Sequence, residues 1–339
     1  MTDRPEKKKS WKRTLLLLIC CLAVLLLAVC IGGYIWMNSL LNNINRVDPT
    51  ETVPTEEQMT VEDPTDTVPL IDRMELIPTG KNVINILLVG QDRRGGTSRS
   101  NSDAMILCTI NKSKKTLVMT SFMRDMWVYI PDYYNNRINL PYVLGGFELL
   151  NDTLSYNFGV SADYNVEIDF SGFMSAIDLV GGIDIELTAA EAKYLNRRGN
   201  WDVEENCNWE LTEGVNHLTG SQALAYSRIR DIGDDFGRTS RQRTVLTVLL
   251  EEAKKLDLLE MYELIRGIFP MLTTDMTNPQ IMGIVAEVLP ILGELEIISQ
   301  RIPMDGEWSY GTRGGADVIV LTPDNFDANK ELLAESMKE

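Results

Sequence analysis

Asp92, Asp103 and Arg124 are three charged residues that each stand beside a short apolar segment. Two aspartate carboxylates offer the oxygen ligands that a hard divalent cation prefers, and a guanidinium beside them binds anionic oxygens. If folding brings the three together, they form one constellation that can hold a metal ion. The alternative is that they are ordinary charges at strand ends, since aspartate is common in turns.

A second group of charged residues consists entirely of arginines. It is the densest basic stretch after residue 37, and its members are Arg228, Arg230, Arg238, Arg241 and Arg243. Arginine forms planar bidentate bonds to phosphate oxygens and stays charged when it is partly desolvated. Such a cluster therefore suits recognition of a pyrophosphate. The alternative is a set of solvated salt bridges to aspartates of the same stretch, which are Asp231, Asp234 and Asp235.

Three strands are needed to bring the first group together. The runs Val83–Gly90, Ala104–Ile110 and Leu117–Met123 are short, apolar and rich in branched side chains, which indicates buried strands. The polar residues between the second and third runs predict a hairpin. If the loop after the first run also turns the chain back, residues 92, 103 and 124 share one edge of the sheet.

Helical and extended segments alternate after the third strand. Asp163–Leu187 predicts a strand, a helix and a strand, a crossover that requires a parallel pair within the sheet. Helices are predicted at Gly146–Phe158, Ser221–Tyr226, Thr239–Leu256 and Asp324–Ser336, and later strands at Glu296–Ile302 and Val318–Leu321. The predicted fold class is therefore α/β, with a mixed central sheet that is flanked by helices on both faces.

Composition excludes one class of partner. The net charge of −17 and the sequence pI of about 4.6 argue against nucleic acid, because phosphates would be repelled at long range. Any anionic ligand must then be held by a local cluster. Five cysteines are too few for a disulfide framework, and Cys108, in an apolar run, is expected to be a buried thiol.

The run Leu15–Met37 contains no charged residue and predicts a transmembrane helix. At about 1.5 Å per residue it reaches roughly 35 Å, enough to cross a hydrocarbon core. The basic residues that precede it are Arg4, Lys7, Lys8, Lys9, Lys12 and Arg13. The positive-inside rule then places the N-terminus in the cytoplasm and the rest of the chain outside. A cleaved signal peptide is the alternative, but the apolar run exceeds the usual length of one.

The expected organisation of the chain has four parts. Residues 1–13 form a cytoplasmic tail, and residues 14–37 form the single transmembrane helix. Residues 38–80 form an extracytoplasmic linker, since they are rich in proline, threonine and acidic residues and poor in aromatic ones. Residues 81–339 form one extracytoplasmic catalytic domain.

Ordered sequence blocks between Asn85 and Val248 resemble the LytR-CpsA-Psr family of cell-wall ligases. The blocks are Asn85–Asp92, Ser102–Leu107, Arg124–Asp125, Arg137–Asn139, Gly145–Gly146, Asp178–Ile183, His217–Gly220, Ala223–Arg230 and Gly237–Gln242. The predicted anchor and linker are also similar to those of that family. One departure is Ser121–Arg124, where the family more often has proline just before the arginine.

The resemblance implies a Mg²⁺ ion that is held by Asp92 and Asp103. It also implies a pyrophosphate head group that is bound by five residues, which are Arg124, Arg228, Arg230, Arg238 and Gln242. These positions coincide with the strand-edge group and the arginine cluster. Asp235 is a candidate general base because it adjoins the cluster, and the alternative is a carboxylate paired to arginine.

The resemblance further implies a substrate and a reaction. A glycopolymer phosphate, of the teichoic acid or capsular polysaccharide class, would pass from an undecaprenyl-pyrophosphate carrier to a peptidoglycan hydroxyl by Mg²⁺-assisted phosphoryl transfer. A hydrolase that uses water as the acceptor and a non-catalytic protein that binds a lipid-linked polymer remain as alternatives. The only histidine, His217, is expected to take no part in the chemistry. Candidates for an apolar groove are Val245–Leu250, Leu256, Leu258, Leu259, Ile265 and Ile268.

Overall fold

A computed structural model of the chain describes residues 32–47, 70–91, 100–197 and 209–338. The chain divides into two compact units, Met1–Ile44 and Asn45–Glu339. In the first unit, residues 32–41 form helix α1, of which residues 32–37 belong to the predicted anchor. Within the described ranges, no helix combines the length and the apolar character that a membrane span requires. The remainder of the predicted anchor lies outside the described residues.

The second unit is built from short strands and amphipathic helices. Its strands are β1 (Asn45–Arg46), β2 (Val83–Gln91), β3 (Ser102–Asn111), β4 (Thr116–Phe122), β5 (Trp127–Tyr129), β6 (Asn135–Arg137), β7 (Tyr164–Asp169), β8 (Ile183–Leu187), β9 (Gly214–Leu218), β10 (Leu272–Thr274), β11 (Glu296–Ile302), β12 (Ser309–Arg313) and β13 (Ala316–Val320). Its helices are α2 (Pro141–Phe158), α3 (Phe170–Leu179), α4 (Ala189–Leu195), α5 (Gly220–Ser227), α6 (Asp234–Ala253), α7 (Leu258–Ile268), α8 (Asn278–Val288) and α9 (Pro323–Met337).

Seven of the described strands make one central sheet, in the order β1-β10-β7-β2-β3-β4-β11. Strand β3 pairs antiparallel with both β2 and β4, so the predicted hairpin and the predicted return of the first loop are confirmed. Strand β2 pairs parallel with β7, and β4 pairs parallel with β11. The sheet is therefore mixed, as predicted.

Both faces of the sheet are covered, because successive side chains of a strand point to opposite sides. On one face, Leu87 and Leu107 pack in a core cluster with Phe158 of α2 and Phe326 of α9. On the other face, a second cluster contains Cys108, and side chains of α6 pack against it. Cys108 is a free, buried thiol, as expected, and burial raises its pKa to about 12.

The predicted crossover at Asp163–Leu187 is wrong in its last strand. Strand β7 and helix α3 form as expected, but β8 leaves the central sheet and pairs antiparallel with β9. The side chains of β8 alternate between buried and exposed, whereas a strand inside a parallel sheet is buried on both faces. The parallel partner of β7 is β2 instead.

Two helices begin five residues earlier than predicted. Helix α2 begins at Pro141, a residue whose fixed φ suits the first turn, and the backbone bends at Gly145 and Gly146 before the segment that the sequence predicted. Helix α6 begins at Asp234, after Gly233 with φ of 79°. The earlier start of α6 places most of the arginine cluster on a helix, and this determines which way each arginine points.

Candidate functional site

The structure brings Asp103 and Arg124 into direct contact at one edge of the central sheet. Asp103 is the second residue of β3, and Arg124 follows the end of β4 by two residues. Because β3 and β4 are antiparallel, these two positions are adjacent. Nη1 of Arg124 donates a hydrogen bond to Oδ1 of Asp103 at 2.9 Å, and both side chains remain partly exposed. The contact is the one that the hairpin predicted.

Two further residues belong to this edge, and the sequence reasoning missed them. Nε of Arg124 lies 3.4 Å from Oδ2 of Asp125, and Nη1 of Arg137 lies 3.6 Å from Oδ1 of the same carboxylate. Arg137 reaches it because β6 pairs with β5, which begins just after Asp125. A signal was present, since both residues lie in blocks that carry the family resemblance. The carboxylates of Asp103 and Asp125 thus hold the guanidinium of Arg124 from two sides.

Asp92 and Asp235, two of the predicted site residues, are only partly located. Gln91, the last residue of β2, pairs with Ser102 beside Asp103. Asp92 is the next residue along the chain, and it lies outside the described residues. Asp235 lies in the first turn of α6, where the structure describes its backbone but not its side chain. The predicted roles of both residues stay predictions.

An open apolar pocket adjoins Asp103. Its volume, including the open mouth, is about 650 Å³. Its walls come from β2, β3, β7, α3, α5 and α6, and its apolar lining includes Leu88, Ile106, Ile168, Phe173, Leu224 and Leu246. Its polar lining residues are Asp103, Asp169, Ser227 and Gln242. The pocket therefore joins a long apolar wall to the charged edge of the sheet.

The arginine cluster divides into side chains with different surroundings. Arg228 caps the C-terminus of α5, and its guanidinium lies 5.0 Å from the ring of Phe170, which lines the pocket. Arg230 is exposed to solvent. Arg238 is buried on α6, and it precedes Gln242 by four residues, so the two share a helix face. Gln242 therefore lines the same pocket as Asp103, and Arg228 contacts the ring of Phe170 in its wall.

Arg241 has a structural environment. Its Nε donates to Oε1 of Glu191 at 2.7 Å, and the two side chains are only 8% and 10% exposed. Its Nη1 and Nη2 donate to the carbonyl oxygens of Ile229 and Ile232, at 3.2 and 2.6 Å. Arg241 is therefore paired with a carboxylate, but the pair is buried and the partner is Glu191 of α4, not one of the aspartates of its own stretch. Arg241 ties α6 to α4 and to the segment after α5.

The comparison with known families agrees with these blocks and this geometry. A model described as the LytR_cpsA_psr family matches residues 44–334. The chain belongs to the LytR-CpsA-Psr family. The structural contact between Asp103 and Arg124 therefore lies inside the part of the chain that the family model covers.

Two curated relatives and two solved structures illustrate the range of the family. The regulatory protein MsrR of Staphylococcus aureus (strain COL) is 31% identical over 265 residues, which cover 76% of this chain and 75% of MsrR. The polyisoprenyl-teichoic acid–peptidoglycan teichoic acid transferase TagU of Bacillus mycoides (strain KBAB4) is 30% identical over 228 residues, 66% of this chain and 69% of TagU. The crystal structure of TagV from B. subtilis has a TM-score of 0.62 at 24% identity and covers 76% of this chain and 98% of TagV.

The second solved structure that resembles this chain is the LytR-CPS2A-psr family protein YwtF (TagT) with bound octaprenyl pyrophosphate lipid. Its TM-score is 0.58 at 22% identity, and the match covers 78% of this chain and 94% of that protein. At this identity the likeness shows the fold. The mixed sheet with helices on both faces is therefore the fold of the LytR-CpsA-Psr proteins.

Among the residues that the sequence suggested for an apolar groove, Leu246 lines the pocket of this LytR-CpsA-Psr protein. Val245, its neighbour, is buried in a separate core cluster, and Leu259 on α7 is 69% exposed. The difference arises because consecutive residues of a helix point about 100° apart, so only one stripe of α6 faces the sheet. Leu246 follows Gln242 by one turn on that stripe.

Few of the described side chains could act as metal ligands at this site. Within the residues that the structure describes, no group of three or more histidine, cysteine, aspartate or glutamate side chains could hold an ion. Asp103 nevertheless fits a hard cation in type, since it presents a carboxylate that is 30% exposed beside the pocket.

His217 lies in the small β8–β9 sheet. Its Nδ1 is 2.7 Å from Oδ1 of Asp184, and its Nε2 is 2.8 Å from the carbonyl oxygen of Gly181. The hydrogen bond to Asp184 and then the one to Gly181 raise the pKa of His217. These partners join the two strands to the preceding turn, which gives the histidine a structural environment.

Proposed function

We propose that this protein transfers a glycopolymer phosphate, of the teichoic acid or capsular polysaccharide class, from an undecaprenyl-pyrophosphate carrier to peptidoglycan. The observation that carries the proposal is the Asp103–Arg124 pair beside an apolar pocket that Gln242 also lines. A ligand with an anionic head and an apolar tail matches this combination of a charged edge and an apolar wall.

The pocket suits an isoprenoid chain. Its lining is apolar along Leu88, Ile106, Ile168, Phe173, Leu224 and Leu246, as is usual for ligand sites. Burial of methyl-branched carbons against Ile106, Phe173 and Leu246 would supply a favourable free energy of about 25 cal/mol per Å² of apolar surface. The first isoprene units would lie in the pocket, and the pyrophosphate would meet the sheet edge.

Five residues are proposed to bind the pyrophosphate, as the family resemblance implies: Arg124, Arg228, Arg230, Arg238 and Gln242. Asp103 and Asp125 hold Arg124 in one orientation at the edge of the pocket, so binding of an anion to its guanidinium costs little conformational entropy. A guanidinium in this place offsets negative charge that develops on the transferring phosphoryl group and on the leaving lipid phosphate. Positioning and electrostatics thus account for the proposed catalysis.

Asp92 and Asp103 would hold a Mg²⁺ ion, and the exposed carboxylate of Asp103 supports this assignment. When bound, the ion would offset negative charge on the phosphate oxygens. Asp235 is proposed as the general base that accepts the proton of the acceptor hydroxyl, because it lies in the first turn of α6 with Arg238.

The relatives support this proposal. TagU is named as a transferase of teichoic acid from a polyisoprenyl carrier to peptidoglycan, and YwtF (TagT) binds octaprenyl pyrophosphate. The proposed topology is a single membrane helix over residues 14–37, with the N-terminus in the cytoplasm. The linker 38–80 and the catalytic domain 81–339 would then lie outside the membrane, where peptidoglycan is found.

The test uses the full chain in proteoliposomes with Mg²⁺, a polyprenyl-pyrophosphate-linked glycan and peptidoglycan. Arg124→Ala is expected to lower the transfer rate roughly 100- to 1,000-fold, the usual cost of one donor to a developing anion. Arg266→Ala is the matched control, since this arginine on α7 is 62% exposed and lies 3.7 Å from Glu263 in a surface ion pair. The control should keep the wild-type rate.

Two results would contradict the proposal in different ways. Equal release of lipid phosphate with and without peptidoglycan would identify a hydrolase, since water would then be the acceptor. Binding of the lipid-linked glycan that survives metal chelation, with no turnover in wild-type protein, would identify a binding protein.

A further inference from the structure

Three aromatic side chains form a group beside the N-terminal half of α6. The rings of Phe236 and Trp308 are stacked, with centroids 4.4 Å apart and an interplanar angle of 29°. The ring of Tyr310 meets that of Trp308 edge-on at 4.8 Å. Tyr310 is 60% exposed. The group therefore presents the ring of Tyr310 to solvent, whereas Phe236 and Trp308 are only partly exposed, and all three lie outside the residues of the proposed pyrophosphate site.

Two arginines accompany this aromatic group. The guanidinium of Arg301 lies 4.5 Å from the ring centroid of Phe236. It also donates to the carbonyl oxygen of Pro303 at 2.8 Å and pairs with Asp305, a carboxylate that is 92% exposed. Because the carboxylate of Asp305 stays almost fully solvated, we expect this pair to contribute little, although the Arg301 side chain is only 17% exposed.

Arg243 is the second cation. Its Nη1 is buried, and in the described part of the chain it has no hydrogen-bond partner. Burial and the nearby charge of Arg301 lower the pKa of Arg243 to about 10. Arg243 follows Phe236 by seven residues, two turns along the same face of α6, and Arg301 lies over the ring of Phe236, so both guanidinium groups belong to one surface. An anion between them would offset both their mutual repulsion and the loss of solvation.

The group adjoins the proposed pyrophosphate site on two elements. Arg243 directly follows Gln242, which lines the pocket. On the sheet, Arg301 of β11 pairs with Ser121 of β4, and the N–H of Met123 donates to the carbonyl oxygen of Ile302 at 2.9 Å. The chain then continues from Met123 to Arg124. The aromatic group and its two arginines therefore extend the charged edge from β3 and β4 to β11.

We propose that Arg243, Arg301, Phe236, Trp308 and Tyr310 form a subsite for a sugar phosphate of the donor glycan. Exposed aromatic faces pack against the apolar faces of sugar rings, and paired guanidinium groups bind phosphate. A ligand that carries both groups next to a pyrophosphate is the first unit of a phosphate-bearing glycopolymer. The inference rests on the proposed function, which it deepens by assigning residues that distinguish the glycan from the lipid.

The test compares two probes on the full chain in detergent micelles. One probe is farnesyl pyrophosphate, and the other is the same lipid with one N-acetylhexosamine phosphate unit attached to its pyrophosphate. Wild-type protein is expected to bind the second probe about tenfold more tightly than the first, because it gains a stacked ring and a bound phosphate. Tyr310→Ala and Arg243→Gln are each expected to reduce this difference to about twofold or less.

Control variants separate the subsite from general effects. Tyr310→Phe keeps the aromatic ring and should keep the tenfold difference. Arg313→Gln removes an exposed arginine from the same β12–β13 hairpin and should bind both probes as the wild type does. If Arg243→Gln does not fold, as judged by its circular dichroism melt, the two Tyr310 variants still decide the question.

Three results would overturn the subsite. The first is wild-type affinity of Tyr310→Ala for both probes, and the second is an equal loss of affinity for both probes. The third is weaker binding of a soluble muropeptide alone, which would assign the surface to the acceptor. The proposed function is tested separately, because it requires that wild-type protein bind farnesyl pyrophosphate itself and that Arg124→Ala abolish this binding.

Discussion

Arg241 offers a sharp test of the distinction between structural and substrate-binding arginines. We expect Arg241→Met to destabilise the protein without disabling the proposed site. The guanidinium makes three hydrogen bonds, to Glu191, Ile229 and Ile232, and its side chain is 8% exposed. Methionine has a similar length, so the variant removes the charge and the donors while it fills most of the space.

The magnitude follows from burial. Removing one partner of a buried ion pair costs about 3–5 kcal/mol, because the remaining charge is left uncompensated. Glu191 keeps the backbone N–H and the hydroxyl of Thr188, which places the expected loss near the middle, at about 4 kcal/mol. For a domain of this size, that loss lowers Tm by roughly 10 °C. The double variant Glu191→Gln/Arg241→Met should lose about 2 kcal/mol less than the sum of the single variants.

The same pair predicts a dependence on pH. Burial raises the pKa of Glu191, but hydrogen bonds from Thr188 and Arg241 outweigh it, and the net pKa lies below the ordinary value of 4.5. A carboxyl with a depressed pKa in the folded state contributes stability above its unfolded pKa, and that stability is lost as pH falls through the folded pKa. The difference in stability between wild type and Arg241→Met should therefore be full at pH 7 and shrink below about pH 4.

Thermal melts of the full chain in detergent, followed by circular dichroism, measure the loss. Transfer activity is measured in parallel at a temperature well below both melting points. Arg266→Met on α7 is the control and should change stability by less than about 0.5 kcal/mol, as exposed sites usually do. A variant Arg241→Met that melts like the wild type but no longer binds pyrophosphate would refute the reasoning and move Arg241 into the substrate site.

Two other substitutions test the remaining assignments. Leu246→Trp should fill part of the apolar pocket and weaken binding of farnesyl pyrophosphate at least tenfold in a titration. Leu259→Trp, at an exposed position of α7, is the control, and its affinity should stay within about twofold of the wild-type value. Equal effects of the two substitutions would argue against this pocket as the lipid site. For His217→Gln we expect a stability loss below about 1 kcal/mol in denaturant titrations, because solvent screens an exposed pair. Since its folded pKa is raised, this loss should be full below pH 6.5 and vanish as pH rises through the folded pKa, with transfer activity unchanged at every pH.

Local patterns in the sequence sufficed for the strands that carry the charged edge. The runs that became β2, β3 and β4 are short, apolar and separated by polar turns, and these features act over a few residues. Antiparallel pairing of neighbouring strands then left little choice about where Asp103 and Arg124 would meet. That is why their contact could be predicted without coordinates.

The different environments of the arginines could not be predicted in this way. It depends on where α6 begins, and its start at Asp234 rests on the left-handed backbone of Gly233. Only a helix of this phase turns Arg238 and Gln242 to one side and Arg241 toward Glu191. Composition treats these arginines as equivalent, whereas the helix phase gives them different partners.

Contacts between distant parts of the chain were decided by the tertiary structure alone. The pocket needs six separate elements, and the contact of Arg301 with Phe236 of α6 depends on the parallel pairing of β11 with β4 across about 180 residues. Tertiary pairing also decided the position of β8, which pairs with β9 outside the central sheet. Hydrophobic periodicity reports which face of an element is buried, but not which other element buries it, because burial of apolar surface is not directional.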